Sequence, residues 1–337
     1  MNFAPLVLIW KIAHYIDTNR PCDYSRISPT FLAGTIRRAR KSLSRLFQDC
    51  RFTNIVPRHG PGAVSTKEKL SGKYQWTHIS PRIAESFPID EYFFVNVEHV
   101  CDRLQNLFRL GDKENLARVV LVPKDSRGPR LISCEPLEFQ WIQQGLSALI
   151  MEHVERHPLT KWNVRFTDQV PNGLGALMGS IHGRYSTLDL NEASDRVSIG
   201  LVRLLFPEPL LGYLMNCRTL GTVLPDGREI ITCKFAPMGS ALCFPILALC
   251  VWSLLDAGLQ ELDTDGSLDR ELIYVYGDDV IVQTAKAAHA ISILEAFGLK
   301  VNKDKSCTKG FFRESCGVDA YKGIKVTPVR LRTPWSV

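Results

Sequence analysis

The sequence lacks the patterns that mark disulfide scaffolds, zinc modules and membrane anchors. Its ten cysteines include no C-x-x-C pair and no zinc-type spacing, which is typical of reduced thiols in a cytosolic protein. The uncharged run Ala241–Leu255 is too short for a membrane span and contains Pro245, so it predicts a buried helix. Internal repeats and low-complexity tracts are also missing. A soluble globular protein is therefore expected.

The chain is long and mildly basic. Its 337 residues can bury a large core and predict two or three domains or subdomains. The hydrophobic fraction of 45% and the charged fraction of 23% are those of a globular protein. The net charge of +6 fits a polyanionic partner. The apolar segment Phe3–Trp10 has no basic region before it, which favours a packed helix over a signal peptide.

Two adjacent carboxylates occupy the centre of a predicted hairpin. The apolar runs Leu272–Tyr276 and Val280–Val282 flank Gly277, Asp278 and Asp279, and Gly-Asp is a strong hairpin signal. Like charges side by side in a buried hairpin are costly unless a cation lies between them. Because Mg²⁺ takes oxygen ligands together with substrate phosphates, this pattern predicts a metal-held phosphate site. The alternative is an ordinary exposed acidic turn.

A third carboxylate lies near the end of another predicted strand. Tyr185–Leu190 has the pattern of a strand and contains Asp189, and a helix is predicted over Arg196–Phe206. Asp195, in the turn that begins this helix, either caps the helix or reaches a ligand. Two-metal phosphoryl transfer needs acidic ligands for two cations, and Asp189 together with the hairpin pair supplies them.

A predicted hairpin between the strands at 118–122 and 131–134 carries three cations at its tip. These are Lys124, Arg127 and Arg130, in a loop that two prolines and a glycine stiffen. Arginine offers bidentate contacts to phosphate oxygens, so the loop suits a triphosphate or a phosphate backbone. A solvated loop is the alternative interpretation.

Two more segments have the residues expected near a nucleotide. The loop at Gly239 and Ser240 opens the predicted buried helix and offers backbone donors to an anion or a sugar hydroxyl. A basic strand is predicted over Lys300–Lys305. Lys305 or Lys303 could protonate a pyrophosphate leaving group.

Seven short motifs follow one another in a characteristic order. They are RHGPGAV (58–64), VPKDSRGPRLISCEP (122–136), LDLNEASDRVS (188–198), LPDGR (224–228), MGSALCFP (238–245), YGDD (276–279) and FRESCG (312–317) with VTPVRLR (326–332). In this order they resemble the replicase β subunits of RNA bacteriophages (leviviruses), which are RNA-directed RNA polymerases. The resemblance covers most of the chain from residue 58 onward.

The resemblance implies a catalytic centre. Asp189, Asp278 and Asp279 match the family's magnesium-binding aspartates, and the carbonyl of Leu190 is a further implied ligand. The implied cofactor is Mg²⁺, as two ions, with Mn²⁺ as a substitute. Lys305 matches the lysine that is placed as the general acid in related polymerases.

The resemblance also implies a nucleotide site. Its positions are Lys124, Arg127, Arg130, Asp195, Gly239 and Ser240. The first three match a cationic entry loop, the fourth lies near the ribose of the incoming nucleotide, and the last two guide template and sugar.

Two positions depart from the family pattern. Leu247 stands where these phage enzymes usually carry Glu and many viral polymerases carry Asn. Cys243 stands where Thr is common elsewhere. A hydrogen-bond network from this helix is therefore not expected to select ribose, and Ser240 and Asp195 would carry more of that selection.

The implied fold is α+β, a right-hand polymerase with helical and β fingers and a palm of antiparallel sheet plus helices, with the thumb largely missing. The N-terminal region and fingers are expected at 1–184 and the palm at 185–310, with a fingers-type insertion near 207–237. A closing hairpin and the start of a truncated thumb are expected at 311–337. Because the sequence stops at Val337, just past this hairpin, a fragment is expected.

The implied activity is replication of a single-stranded RNA phage genome by two-metal nucleotidyl transfer from NTPs. The alternatives are a narnavirus- or mitovirus-type replicase, a reverse transcriptase, or a thumbless, non-catalytic RNA-binding remnant. The implied partners are single-stranded RNA template, product RNA, NTPs, host translation elongation factors and a ribosomal protein, with no membrane. The implied location is the cytoplasm of the bacterial host.

Overall fold

The computed structural model describes residues 27–76, 78–94, 98, 101, 114–125, 128–263, 268 and 273–328. These residues form helices and several small sheets, so the predicted α+β class is confirmed. The predicted helix at Phe3–Trp10 lies outside the described residues.

The elements are numbered in chain order. The helices are α1 (Pro29–Phe47), α2 (Pro81–Ser86), α3 (Ile89–Tyr92), α4 (Leu137–Arg156), α5 (Val170–His182), α6 (Ala193–Arg196), α7 (Ile199–Leu205), α8 (Leu210–Cys217), α9 (Cys243–Leu262) and α10 (Ala287–Ala296). The strands are β1 (Ala117–Asp125), β2 (Gly128–Cys134), β3 (Tyr185–Leu188), β4 (Leu190–Asn191), β5 (Gly221–Val223), β6 (Glu229–Ile231), β7 (Tyr274–Tyr276), β8 (Asp279–Gln283), β9 (Lys300–Val301), β10 (Phe312–Ser315), β11 (Val318–Tyr321) and β12 (Ile324–Lys325).

The described residues group into two compact units. The first unit takes its residues from Met1–Ala39, Glu155–Ala193 and Ala248–Val337. The second takes its residues from Arg40–Val154 and Ser194–Leu247. The predicted division at 1–184, 185–310 and 311–337 stays a prediction.

The first unit is built on the antiparallel sheet β3-β8-β7. Its strands carry the β-branched residues that favour a pleated, buried surface, and Val275, Val280, Ile281 and Val282 are all fully buried. Two smaller sheets, β4-β9 and β10-β11-β12, belong to the same unit.

Helix α5 packs closely on this sheet because it carries glycines where it approaches the strands. A Cβ atom on Gly175 would lie 2.6 Å from Cδ1 of Ile281, and one on Gly179 would lie 2.8 Å from the carbonyl oxygen of Tyr185. Larger residues at either position would push the helix off the sheet.

The second unit contains the sheet β2-β1-β5-β6. Strand β1 runs antiparallel to β2 and parallel to β5. Helix α4 contributes apolar residues at helical spacing to the core of this unit, and Phe139, Ile142, Leu146 and Ile150 are fully buried.

The predicted buried helix at Ala241–Leu255 is confirmed as α9, which begins and ends later, at Cys243 and Leu262. By length and composition it is the one helix in the described part of the chain that could cross a membrane. Within the protein, 83% of its most apolar stretch is buried. Core helices pass the same test, so this is weak support for a membrane span.

Two secondary-structure predictions are wrong in their extent. The helix expected at Arg196–Phe206 is divided into α6 and α7, because the hydroxyl of Ser198 accepts a hydrogen bond from the Leu201 amide and begins a new helix. The strand expected at Lys300–Lys305 ends at Val301. After it, the Lys305 amide donates to the carbonyl of Asn302 and closes a turn.

Candidate active site

The predicted hairpin of the acidic pair is confirmed. Strands β7 and β8 pair as far as Tyr276 and Asp279, and the two residues between them form the turn. Gly277 in that turn has φ +62°, a conformation that glycine adopts at little cost. Asp278 is exposed in the turn, whereas Asp279 is the first residue of β8 and half-buried. The two adjacent carboxylates therefore have different surroundings.

Asp189 lies at the same end of this sheet. Strand β3 pairs with β8 in a register that matches Leu188 with Val280. One further step along that register brings Asp189 opposite Asp279, and directly opposed residues of antiparallel strands present their side chains to one face. The register therefore places Asp189 and the hairpin carboxylates at the same end of the sheet, although they are ninety residues apart in sequence.

The turn after β9 holds Asp189 in place. The side-chain amide of Asn302 donates to Asp189 Oδ1 at 3.0 Å, and the Asn302 backbone amide donates to the Asp189 carbonyl at 2.8 Å. The hydroxyl of Ser306 accepts from the Asp189 amide at 3.1 Å. Lys305 Nζ lies 3.6 Å from Asp189 Oδ2, so the predicted general acid is next to a predicted metal ligand.

Asp279 is held by the turn between β10 and β11. The Ser315 hydroxyl lies 3.4 Å from Asp279 Oδ1, and the Cys316 sulfur lies 3.5 Å from Oδ2. From α5, the amide of the buried Asn172 reaches both the Asp279 carbonyl, at 3.3 Å, and Ser315 Oγ, at 3.4 Å. The closing hairpin therefore fixes the orientation of this carboxylate.

The electrostatics of this end of the sheet favour a cation. Burial, together with the neighbouring Asp278 and Glu314 carboxylates, raises the pKa of Asp279 to about 6. Burial also raises the pKa of Glu314, and Asp319 and Asp189 add to that effect. A bound divalent cation would offset this repulsion.

The donor set fits Mg²⁺ in type and charge, because hard divalent cations prefer carboxylate and carbonyl oxygens. Leu190, whose carbonyl is a predicted ligand, is a buried residue of β4, paired with Val301. In the described part of the chain, no three His, Cys, Asp or Glu side chains converge on one point as a ready-made metal cage.

The predicted cationic loop belongs to the second unit. Lys124 is a residue of β1, and Arg130 is an exposed residue of β2 paired with Val122. Arg127 lies outside the described residues.

Asp195 does not cap a helix in the described structure. It lies within α6, and its Oδ1 accepts from Lys234 Nζ at 2.5 Å. The helix that follows is capped by Ser198 instead. The pairing with Lys234 spans 39 residues of sequence.

The Gly239-Ser240 loop lies between β2 and α4 and contacts both. Gly239 has φ +121°, and a Cβ atom there would lie 2.1 Å from the carbonyl oxygen of Ser133. The Ser133 amide in turn donates to the Met238 carbonyl at 2.8 Å. The Ser240 hydroxyl donates to Oε1 of Gln143 at 2.9 Å, and Gln143 is fully buried. Only glycine can occupy position 239 without moving β2.

The first turns of α9 carry Cys243 and Leu247, the two residues that depart from the family pattern. Leu247 is buried, and Cys243 is half-buried. An apolar side chain at Leu247 cannot form a hydrogen bond with a sugar.

Sequence reasoning missed the residues that hold the predicted ones, which are Gln143, Asn172, Lys234, Asn302, Ser306, Ser315 and Cys316. It also missed Glu314 as an acidic neighbour, although this residue lies in the FRESCG motif. No spacing rule connects residues so far apart in sequence, so only the fold could show these contacts.

Comparisons with known proteins agree with this arrangement of motifs. The family model described as "RNA replicase, beta-chain" matches residues 34–336. The RNA-directed RNA polymerase subunit beta of Enterobacteria phage SP is 31% identical over 287 residues, which is 85% of this chain and 46% of that protein. The corresponding subunit of Qbeta virus (strain MX1) is 30% identical over 88% of this chain and 49% of its own length.

A further relative and a solved structure match over a larger share of this chain. The RNA-directed RNA polymerase beta chain of Enterobacteria phage GA is 27% identical over 95% of this chain and 59% of its own length. A solved chain described as "RdRp complex" covers 94% of this chain and 28% of its own, at 12% identity and a TM-score of 0.45, too distant to carry weight. The chain spans about half the length of the curated relatives it matches. From the family match over most of its length, the chain belongs to the RNA replicase β-chain family.

Proposed function

We propose that this chain carries the catalytic core of an RNA-directed RNA polymerase that copies a single-stranded RNA phage genome. The observation that carries the proposal is the meeting of Asp189 and Asp279 at one end of the β3-β8 ladder, with Lys305 beside Asp189. The relatives named as RNA-directed RNA polymerases support the same reaction class.

The proposed reaction is nucleotidyl transfer. The 3′-hydroxyl of the growing strand loses its proton to solvent and attacks the α-phosphate of an NTP, a new phosphodiester bond forms, and the bond to pyrophosphate breaks. Asp189, Asp278, Asp279 and the Leu190 carbonyl would hold Mg²⁺, or Mn²⁺ in its place, as two ions. When bound, these ions supply charge stabilisation for the attacking and leaving oxygens.

Residues of the chain itself would supply proton transfer, triphosphate binding and the shape of the loop beside the nucleotide. Lys305 would give its proton to the departing pyrophosphate, which leaves bearing negative charge. Lys124, Arg127 and Arg130 would contact the triphosphate. Gly239 and Ser240 would set the shape of the loop beside template and sugar, because Ser240 already uses its hydroxyl proton within the protein.

The proposal extends to architecture and partners. The β3-β8-β7 sheet with α5 would be the palm, and the β10-β11-β12 sheet would be the closing hairpin against it. Single-stranded RNA, product RNA and NTPs would be the ligands. Host translation elongation factors and a ribosomal protein would be protein partners in the cytoplasm of the bacterial host, with no membrane.

The test is primer extension on an RNA template by the 337-residue chain with Mg²⁺ and NTPs, comparing wild type with Asp278→Asn. Loss of a metal ligand removes several kcal/mol of transition-state stabilisation, so synthesis is expected to fall by roughly a thousandfold. Asp226→Asn is the matched control, because Asp226 is an exposed turn aspartate whose one partner among the described residues is its neighbour Arg228.

The same assay separates the alternatives. If wild type and Asp278→Asn bind RNA equally and neither extends it, the chain is a non-catalytic RNA-binding protein and the proposal is wrong. If wild type extends with dNTPs in preference to NTPs, it is a reverse transcriptase. Extension with NTPs that only the Asp278 variant loses supports the polymerase.

A further inference from the structure

The two carboxylate oxygens of Asp189 have different partners. Oδ1 accepts a hydrogen bond from the side-chain amide of Asn302 at 3.0 Å. Oδ2 lies 3.6 Å from the Lys305 ammonium and has no other partner among the described residues. A separation of 3.6 Å is an ion pair but exceeds the length of a normal hydrogen bond. The contact at Oδ2 is therefore the weaker of the two.

The contact at Oδ1 is part of a closed set of hydrogen bonds around Asp189. The sheet β4-β9 pairs Leu190 with Val301, and the next step along that register places Asp189 opposite Asn302. The backbone amide of Asn302 donates to the Asp189 carbonyl at 2.8 Å, and its carbonyl accepts from the Ser306 amide at 2.9 Å. The Ser306 hydroxyl in turn accepts from the Asp189 amide at 3.1 Å. These bonds fix the backbone on both sides of the carboxylate and hold Oδ1.

The side chain of Lys305 is held much less firmly. It is 53% exposed, and Asp189, whose side chain is 20% exposed, is its one ion-pair partner in the described part of the chain. Exposed pairs contribute little to stability, because solvent screens the charges and a long side chain loses rotamer freedom when it pairs. The ammonium can therefore leave Oδ2 at little cost.

The same ammonium offsets repulsion among nearby carboxylates. Burial raises the pKa of Glu314, and the Asp189 carboxylate adds to this effect. The Lys305 ammonium acts in the opposite direction and lowers the pKa of Glu314. A divalent cation at Asp189 would offset the same repulsion. Lys305 and such a cation would thus have the same electrostatic effect at this end of the sheet.

We propose that Lys305 and a divalent cation compete for Oδ2 of Asp189, and that Asn302 confines the competition to this oxygen. The inference rests on the proposed polymerase function, in which Asp189 is a metal ligand and Lys305 is the general acid. Two positive groups at one carboxylate oxygen repel each other, so binding of the cation releases the ammonium. The released ammonium is then available to the departing pyrophosphate. Asn302 acts through Asp189 and is a positioning residue.

The experiment measures the dissociation constant of Mn²⁺ for the 337-residue chain by electron paramagnetic resonance, without RNA or NTP. In Lys305→Met, Mn²⁺ is expected to bind about fivefold more tightly, which corresponds to loss of a competing ion pair of about 1 kcal/mol. Lys305→Arg should bind Mn²⁺ as wild type does, because the guanidinium keeps the positive charge at Oδ2. In primer extension both variants should lose about a hundredfold in rate, because neither side chain can act as a general acid.

Lys303→Met is the matched control, because Lys303 lies in the same turn, carries the same charge and has no ion-pair partner among the described residues. It should change the Mn²⁺ dissociation constant by less than about twofold, since solvent screens an exposed charge that makes no contact.

Asn302→Ala tests the positioning residue. It removes the amide at Oδ1 and keeps the backbone bonds of the turn, so Mn²⁺ should bind about tenfold more weakly, as expected when a contact that orients a metal ligand is lost. In this background, Lys305→Met should tighten Mn²⁺ binding by less than about twofold, because the carboxylate is no longer held with Oδ2 towards the lysine.

Three outcomes would overturn the proposal. The same Mn²⁺ dissociation constant in Lys305→Met and Lys303→Met would mean that no competition takes place at Oδ2. Weaker Mn²⁺ binding in Lys305→Met would mean that the ammonium organises the site instead of competing for it. Wild-type Mn²⁺ binding in Asn302→Ala would mean that the amide does not position the carboxylate. The polymerase function is judged separately, because primer extension that wild type performs and Asp278→Asn loses would stand under each of these results.

Discussion

Asp279 shows how a single carboxylate can be kept partly buried and still open to a ligand. Burial and the adjacent charges work against its ionised form, yet Ser315, Cys316 and Asn172 hold the strand end and the carboxylate in place. Orientation by second-layer contacts is what metal ligands commonly require. The same contacts would leave the carboxylate poorly solvated if no cation bound.

A different buried carboxyl group makes a prediction about stability. Glu138 is 1% exposed, and burial raises its pKa to about 7. Because its folded-state pKa lies above the ordinary value near 4.5, the folded chain holds this proton up to neutral pH. The free energy of unfolding should therefore fall as pH rises from about 5 to about 8. The shift corresponds to about 3 kcal/mol across that window.

Glu138→Gln should remove that pH dependence. Glutamine keeps the oxygen that accepts from the Asn115 amide at 3.2 Å and carries no charge at any pH. In urea unfolding, the variant should gain about 3 kcal/mol relative to wild type between pH 5 and pH 8. The other buried carboxyls among the described residues, Glu135 and Asp256, are present in both proteins and cancel from the comparison. Glu85→Gln, at an exposed position, should track wild type, and parallel curves for all three proteins would contradict the assignment.

Single residues at strand ends could be predicted from the sequence, whereas contacts between residues far apart along the chain could not. Asp189, Asp278 and Asp279 could be found because each follows or begins a strand that alternation and turn chemistry predict. Lys234 could not be found as the partner of Asp195, because helix and strand periodicities carry no information across 39 residues. Their pairing is a property of tertiary packing.

At the level of elements, the loop before α9 is held from two sides. Two elements hold it, β2 through Ser133 and α4 through Gln143, whose Nε2 also donates to the carbonyl of Cys217 at 2.8 Å. A loop fixed from two sides keeps one shape with and without a ligand. Preorganisation of this kind lowers the entropy lost on binding.

Gly239→Ala should be far more damaging than an ordinary substitution of a turn glycine. The new methyl group would meet the Ser133 carbonyl at 2.1 Å, in addition to the strain of φ +121°. Gly227→Ala is the control, since Gly227 has φ +88° and open space around it. Unfolding in urea should show a loss of about 1 kcal/mol at Gly227 and at least about 2 kcal/mol more at Gly239. Equal losses would mean that the close approach to β2 does not constrain the loop.

Prediction misjudged two elements, one because of a local helix cap and one because of a tertiary contact. The pattern over Arg196–Phe206 is helical throughout, and only the cap by Ser198 divides it into α6 and α7. The residues after Val301 are basic and extended in pattern, yet Asn302 turns back to Asp189 and ends the strand. Elements with their own local signals, such as the β7-β8 hairpin and α9, were predicted correctly.

The charge of the whole molecule bears on RNA binding. Its 41 basic and 35 acidic residues give a net charge of +6, although the proposed catalytic end of the first unit gathers Asp189, Asp278, Asp279 and Glu314. These carboxylates cannot themselves bind RNA phosphates, so other, basic residues are expected to do so. Binding through phosphates and catalysis through carboxylates should then be separable by mutation.

RNA affinity should fall steeply with salt. Each phosphate contact on a single strand releases counterions with a slope of about 0.7 in log Kd against log salt, so five contacts would give a slope of about 3.5. Between about 50 and about 200 mM salt, binding should weaken by about a hundredfold, measured by fluorescence anisotropy with a single-stranded RNA.

Asp278→Asn should keep both affinity and slope, because Asp278 bears no positive charge for a phosphate to meet. Arg130→Gln, which removes an exposed cation, should reduce the slope by about 0.7. An affinity that does not change over this salt range would mean that RNA is held without phosphate contacts.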